Sequence, residues 1–154
     1  MKNRAFTLVE LLIVIIIIGV LAGAMMLSMS SMDDKLKANE ILENLRMAKE
    51  AAQNYYTQNG AWPTNNTKLN DTKFNGIIDK TLPDEYQVTI NNNSIFVRCS
   101  GLDDLSQGVR EKLAGMAKEN NLWNTSSYTS ENDKYYKATG NGTNTIHMPV
   151  ELAN

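Results

Sequence analysis

Hydrophobic and polar positions are distributed very unevenly along the chain. No polar side chain occurs from 11 to 27, a run of Leu, Ile, Val, Met, Ala and two glycines. Extended back to Phe6, this segment forms a helix of roughly 33 Å, long enough to cross the hydrocarbon core of a bilayer. Beyond a short mixed stretch at 28–32, apolar positions recur at helical spacing: Ile41, Leu45, Ala48, Ala52 and Tyr55, with Glu43, Arg46, Glu50 and Asn54 on the opposite face. Neither Gly nor Pro interrupts residues 24–59, so one helix is predicted over 6–58, about 80 Å long. Asn59-Gly60, followed by Pro63, supplies its stop. The Arg46 and Glu50 pair adds only a small surface effect.

The pattern then changes. Residues 65–84 are polar and read as a loop anchored by Leu69, Phe74, Ile77 and Ile78. Tyr86, Val88 and Ile90 alternate with polar residues, Ile95, Val97 and Cys99 also recur every second residue although Phe96 makes the other face less polar, and Asn91-Asn92-Asn93 lies between the runs, which predicts a β-hairpin. Leu105, Val109, Leu113 and Met116 predict a helix over 102–120, capped by Ser100, Asp103 or Asp104, although Gly108 and Gly115 weaken it. Residues 135–139 and 145–150 around Gly140-Asn141-Gly142 predict a second hairpin. The expected fold class is α+β: a long N-terminal helix, transmembrane and then amphipathic, packed on a small antiparallel sheet of three or four strands.

Composition and charge narrow the function. The 154 residues suit one domain plus an anchor, and removing the apolar segment leaves enough chain for a modest core. A net charge of −2 offers no clustered cation surface of the kind phosphate recognition needs, so no nucleic-acid partner is expected. With one cysteine, Cys99, no intrachain disulfide can form, and the residue reads as a small hydrophobe in a strand. His147 reads as solvated or structural. One His and one Cys offer no zinc pattern, and no phosphate-binding glycine loop is present, so neither a catalytic set nor a cofactor is expected. Asp103-Asp104 and Glu131-Asn132-Asp133 are acidic but do not match an EF-hand loop, and solvated loops are the simpler reading.

Lys2 and Arg4 precede the apolar run and should stay on the cytoplasmic side, placing the bulk of the chain across the membrane. Three readings compete for the run. A secretory signal would be cut near the small residues Ala22, Gly23 and Ala24. A plain anchor leaves Glu10 unexplained, because a carboxylate within a span costs about 2.5–3.5 kcal/mol at its centre. If the chain is cut between Ala5 and Phe6, the new Phe6 amine lies one helical turn from Glu10. The carboxylate could then neutralise it, within one chain or between neighbours, and fix the axial register of packed helices.

Phe6-Thr7-Leu8-Val9-Glu10-Leu11-Leu12-Ile13-Val14 after a short basic leader strongly resembles the cleavage and methylation motif of type IV prepilins and type II secretion pseudopilins. The segment from Tyr55-Tyr56 through Asn59-Gly60 to Trp62-Pro63 resembles, more weakly, the helix exit of the same families. The resemblance implies a dedicated membrane peptidase and methyltransferase that cuts before Phe6 and N-methylates it, with Glu10 as the buried assembly glutamate. It implies copies of the chain and related pilins as filament partners, an inner-membrane assembly platform driven by a separate ATPase, and membrane lipid as the partner before assembly. Ala5 stands where the family usually has Gly. The apolar helix has no proline, whereas many pilins have one, which implies a straighter helix. Some pseudopilins bind calcium. Gly19 and Gly23 form a small-xxx-small pair suited either to close helix packing or to simple tolerance in a span.

The expected organisation is a leader at 1–5, a transmembrane and filament-core helix at 6–27, its amphipathic continuation at 28–60 and an extracytoplasmic head at 61–154. The expected function is a non-enzymatic structural subunit of a type IV pilus or type II secretion-like pseudopilus. It would sit in the inner membrane and then in an extracellular or periplasmic filament. The rival is a single-span anchored binding or sensor protein.

Overall fold

The computed structural model describes residues 7–91, 94–125, 134–139 and 144–150. Its first element is the long helix, α1, Leu8–Asn59. Gly60 ends it: at φ 67° it takes the left-handed conformation that closes a helix, and its N–H reaches the Tyr56 carbonyl at 2.8 Å. Tyr56 then stacks on Trp62 with ring centroids 4.5 Å apart, turning the chain away from the axis. The chain divides into two compact units, residues 1–33 and 34–154, each described by itself below.

Within the second unit, the predicted stripe is the buried one. Ile41, Leu45, Ala48 and Ala52 are buried and Tyr55 packs at the edge of the core, while Glu43, Arg46, Glu50 and Asn54 are exposed. Ala38, Leu42 and Ala51 widen the stripe. Arg46 reaches across to donate to Asn120 Oδ1 at 2.6 Å, a long-range tie.

Four antiparallel strands lie in the order β1-β2-β3-β4: β1 Thr67–Lys68, β2 Tyr86–Asn91, β3 Ser94–Ser100 and β4 Thr145–Pro149. The β2–β3 hairpin has the expected register, pairing Tyr86 with Cys99, Val88 with Val97 and Ile90 with Ile95. Alternation sends Tyr86, Val88, Val97, Cys99, Ile146 and Met148 into the core that α1 lines, and Thr89, Phe96 and His147 to the other face, where they too are buried. The polar 65–84 segment contributes β1, and a 3-10 turn at Thr72–Phe74 capped by Asp71, with Leu69 and Phe74 buried.

Among the described residues, 135–139 do not pair with β4 as a second hairpin. β4 pairs with β3, and Tyr135 bridges to Trp123 instead of running beside β4. The reason is that the Trp123 backbone already occupies the open edge of β4 at His147, so residues 134–136 pair one place further out. The expected turn at Gly140-Asn141-Gly142 lies outside the described residues.

The second helix, α2, Gln107–Met116, is shorter than the periodicity implied, and its cap is neither Ser100, Asp103 nor Asp104. Gly101, in a left-handed conformation, breaks the chain into a 3-10 turn at Leu102–Asp104, which absorbs both aspartates. Ser106 caps α2, accepting from Val109 N–H at 3.2 Å and donating to Asp34 Oδ1 at 2.6 Å. Gly108 leaves room for this contact, since a Cβ there would displace the Asp34 carboxylate. Replacing Ser106 by alanine removes both bonds, and a loss of about 1 kcal/mol in head stability is expected from the cap. A lowered denaturation midpoint would register it; an unchanged midpoint would show that the cap contributes nothing.

Candidate assembly site

The sequence placed its functional residues on the N-terminal helix. Leu8–Met25 forms the apolar part of α1, 18 residues with mean hydropathy 2.9, and by length and composition it is long enough to cross a membrane. Its side chains are exposed around the whole circumference of the isolated chain, from 45% at Val14 to 82% at Leu8. A helix apolar on every side is stable only inside lipid or among other helices. Gly19 and Gly23 lie one turn apart on one face of it, and nothing stands within 4 Å of where a Cβ would project from either. That notch is open in the isolated chain.

Glu10 has a local role that sequence reasoning missed. Its Oε2 accepts from Thr7 N–H at 2.8 Å and from the Thr7 hydroxyl at 2.8 Å, and its own N–H donates to Thr7 Oγ1 at 3.2 Å. This is a capping box: Thr7 at the helix boundary and an acid three residues on satisfy each other's orphan N–H groups. The signal was legible, a Thr-x-x-Glu placed just ahead of an apolar run. The box also favours a negative charge at the positive end of the helix dipole. Ala5 and Phe6, the expected processing residues, lie outside the described residues.

The other candidates belong to the second unit. Cys99 is buried in β3, and burial pushes its thiol up to about 11. Reagent reaches the buried thiol only through local opening, so maleimide labelling of the folded chain is expected to be at least about 100-fold slower than after denaturation. Equal rates would contradict the burial. His147 is also buried, in β4, with its ring edge-on to Phe96 at 6.2 Å. Among the described residues no group of three or more His, Cys, Asp or Glu could hold a metal ion. Asp103 faces Arg110 at 4.0 Å, and Glu131-Asn132-Asp133 lies outside the described residues. A cleft of about 280 Å³ beside α1 is floored by Ile41, Tyr86 and Leu102 and rimmed by Lys37, Glu40 and Asp104. Lys37 pairs with Glu40 across one turn at 2.9 Å, and Tyr86 is held by Asn44, whose Nδ2 donates to its hydroxyl at 3.3 Å.

Comparison with known proteins agrees with this geometry. Residues 1–26 match the prokaryotic N-terminal methylation motif. The type IV major pilin protein PilE1 of Neisseria gonorrhoeae is 29% identical over 113 residues, covering 73% of this chain and 63% of that protein. A fimbrial protein of Neisseria meningitidis is 36% identical over 65 residues, 42% of this chain and 38% of that protein. The chain thus spans less than two thirds of the length of either relative. Among solved structures, the major type IV pilin PilA1 of Clostridium difficile superposes with a TM-score of 0.54 over 78% of this chain and 98% of that one, at 16% identity, a likeness of fold. A long apolar N-terminal helix followed by a four-stranded antiparallel sheet is therefore an α+β, type IV pilin-like fold.

Proposed function

We propose that this chain is a structural subunit of a type IV pilus-like filament, cut between Ala5 and Phe6, N-methylated at Phe6 and polymerised through its N-terminal helix. The observation that carries the reading is the helix at Leu8–Met25, apolar and exposed on every side, joined to a methylation motif over the same residues. In this reading residues 1–5 are the leader, 6–27 the core helix, 28–60 its continuation and 61–154 the extracytoplasmic head. Lipid covers the helix until copies of the chain or related pilins replace it. The processing peptidase and methyltransferase and an inner-membrane assembly platform act on it in turn. Relatives named as pilins and fimbrial proteins favour a pilus over a secretion pseudopilus.

Glu10 has two roles in this reading. It caps its own helix in the single subunit and, in the filament, neutralises the Phe6 amine of a neighbour. Gly19 and Gly23 admit the close approach of packed helices. Intact mass and N-terminal sequencing of the protein from host membranes test the reading. The expected product starts at N-methyl-Phe6. A chain starting at Met1 would support the plain anchored binding protein instead, and one starting beyond Ala24 would make it a secreted head; either overturns the filament proposal.

A further inference from the structure

Among the described residues, the open edge of β4 is paired by backbone at one residue. Trp123 lies beside β4 as one extra rung, its N–H donating to the His147 carbonyl at 2.7 Å and its carbonyl accepting from His147 N–H at 2.9 Å. Residues 134–136 pair behind it: Asn124 N–H donates to the Lys134 carbonyl at 2.8 Å, and Tyr136 N–H to the Leu122 carbonyl at 2.9 Å. Leu122 and Tyr136 anchor the ends of this clip in the core, and among the described residues its backbone meets the strand at His147.

The imidazole at that point is 6% exposed and sits against Phe96, which packs on Trp123 with centroids 5.3 Å apart. Its Nδ1 is buried without a hydrogen-bond partner among the described residues. Among the described residues, the charge that acts on it is the cation Arg98. Arg98 lies directly across on β3, turned to Gln87 Oε1 at 2.5 Å, and Lys134 stands over the Trp123 ring at 4.8 Å.

We propose that His147 is an acid-sensitive latch, whose protonation releases the Trp123 clip from β4 while the face of the sheet packed on α1 stays folded. A proton arriving at Nδ1 meets no acceptor among the described residues, the apolar wall of Phe96 and the Arg98 cation. Burial first, and Arg98 second, hold the closed-state pKa down at about 4 instead of the ordinary 6.5. Release lets water reach the ring and restores the ordinary value. The depressed value means that the clip is fully held above pH 6.5, and its hold is lost progressively as pH falls towards 4. Between those limits the opening equilibrium rises about 20-fold at pH 5 relative to pH 7, and about 200-fold once pH is well below 4. Opening frees the His147 N–H and carbonyl and uncovers Phe96, giving a strand edge that another chain can pair with.

The test is amide hydrogen exchange on the full-length protein in detergent micelles at pH 7 and pH 5, corrected for intrinsic rates. Protection of the Trp123 and His147 amides is expected to fall about 20-fold, while the Val97 and Cys99 amides keep theirs. His147→Gln should remove the pH dependence. Unchanged protection in the wild type, or an equal loss in the variant, overturns the latch. Should the variant fail to fold, the wild-type ring resonance decides, since the chain has one histidine: titration near 4 is expected, and titration near 6.5 refutes the proposal.

Discussion

Glu10→Gln is expected to lower filament yield by at least about 100-fold while leaving the subunit inserted, processed and folded. The substitution separates the two roles of the side chain. In the single subunit the carboxylate accepts from the Thr7 N–H and hydroxyl, and glutamine fills the same place in a capping box. Glutamine cannot neutralise an ammonium. A Phe6 amine buried among packed helices without its counter-charge costs about 3–5 kcal/mol, or roughly 100- to 4,000-fold in the assembly equilibrium. Thr7→Val does the reverse: it breaks the cap, worth about 1 kcal/mol, and keeps the charge, so its yield should fall by less than about 10-fold. Quantitative immunoblotting of sheared filaments against membrane-retained subunit measures both. If Thr7→Val is as damaging as Glu10→Gln, assembly depends on the helix start and the charge-pairing proposal falls.

The distinction shows what kind of information the sequence carried. Periodicity spoke clearly wherever one residue's environment is set by its neighbours on the same element. Ile41, Leu45, Ala48 and Ala52 bury the face their spacing defines, Gly60 ends the helix it follows, and the β2–β3 register follows the alternation from Tyr86 to Cys99. It failed where distant segments compete for one position. The spacing of 135–139 and 145–150 suits a hairpin, but nothing local reveals that Trp123 takes the edge of β4 first. The α2 cap shows the same limit: Asp103 and Asp104 were good local candidates, and Ser106 prevails because Gly101 ends the strand early and Asp34 of α1 meets its hydroxyl. At the candidate assembly site the cost of Glu10 in lipid is what marks it for the proposed role. Its capping box is encoded in the three-residue spacing from Thr7, whereas Gly19 and Gly23 announce a notch and not its occupant.

Leu45→Ala is expected to act on the other unit alone. Leu45 is fully buried where α1 meets the sheet, within the same core as Val88, Val97 and Leu113. Its neighbours one turn away on the helix face, Ile41, Leu42 and Ala48, are themselves buried in the same close-packed core, which limits how far they can move into a vacated volume. The cavity should therefore persist and cost about 2–5 kcal/mol, out of a stability for such a head of about 5–15 kcal/mol. Denaturant unfolding of the full chain in micelles should show a lowered midpoint with an unchanged slope. A loss below about 1 kcal/mol would mean that the site collapses and that the head does not lean on this part of α1. Glu10 and Leu45 belong to different compact units and share no partner, so the double variant should show the sum of the two effects on its two separate readouts. A head destabilised further by Glu10→Gln would reveal that the two units communicate along α1, and the division at Asp33–Asp34 would then not describe how the subunit responds to assembly.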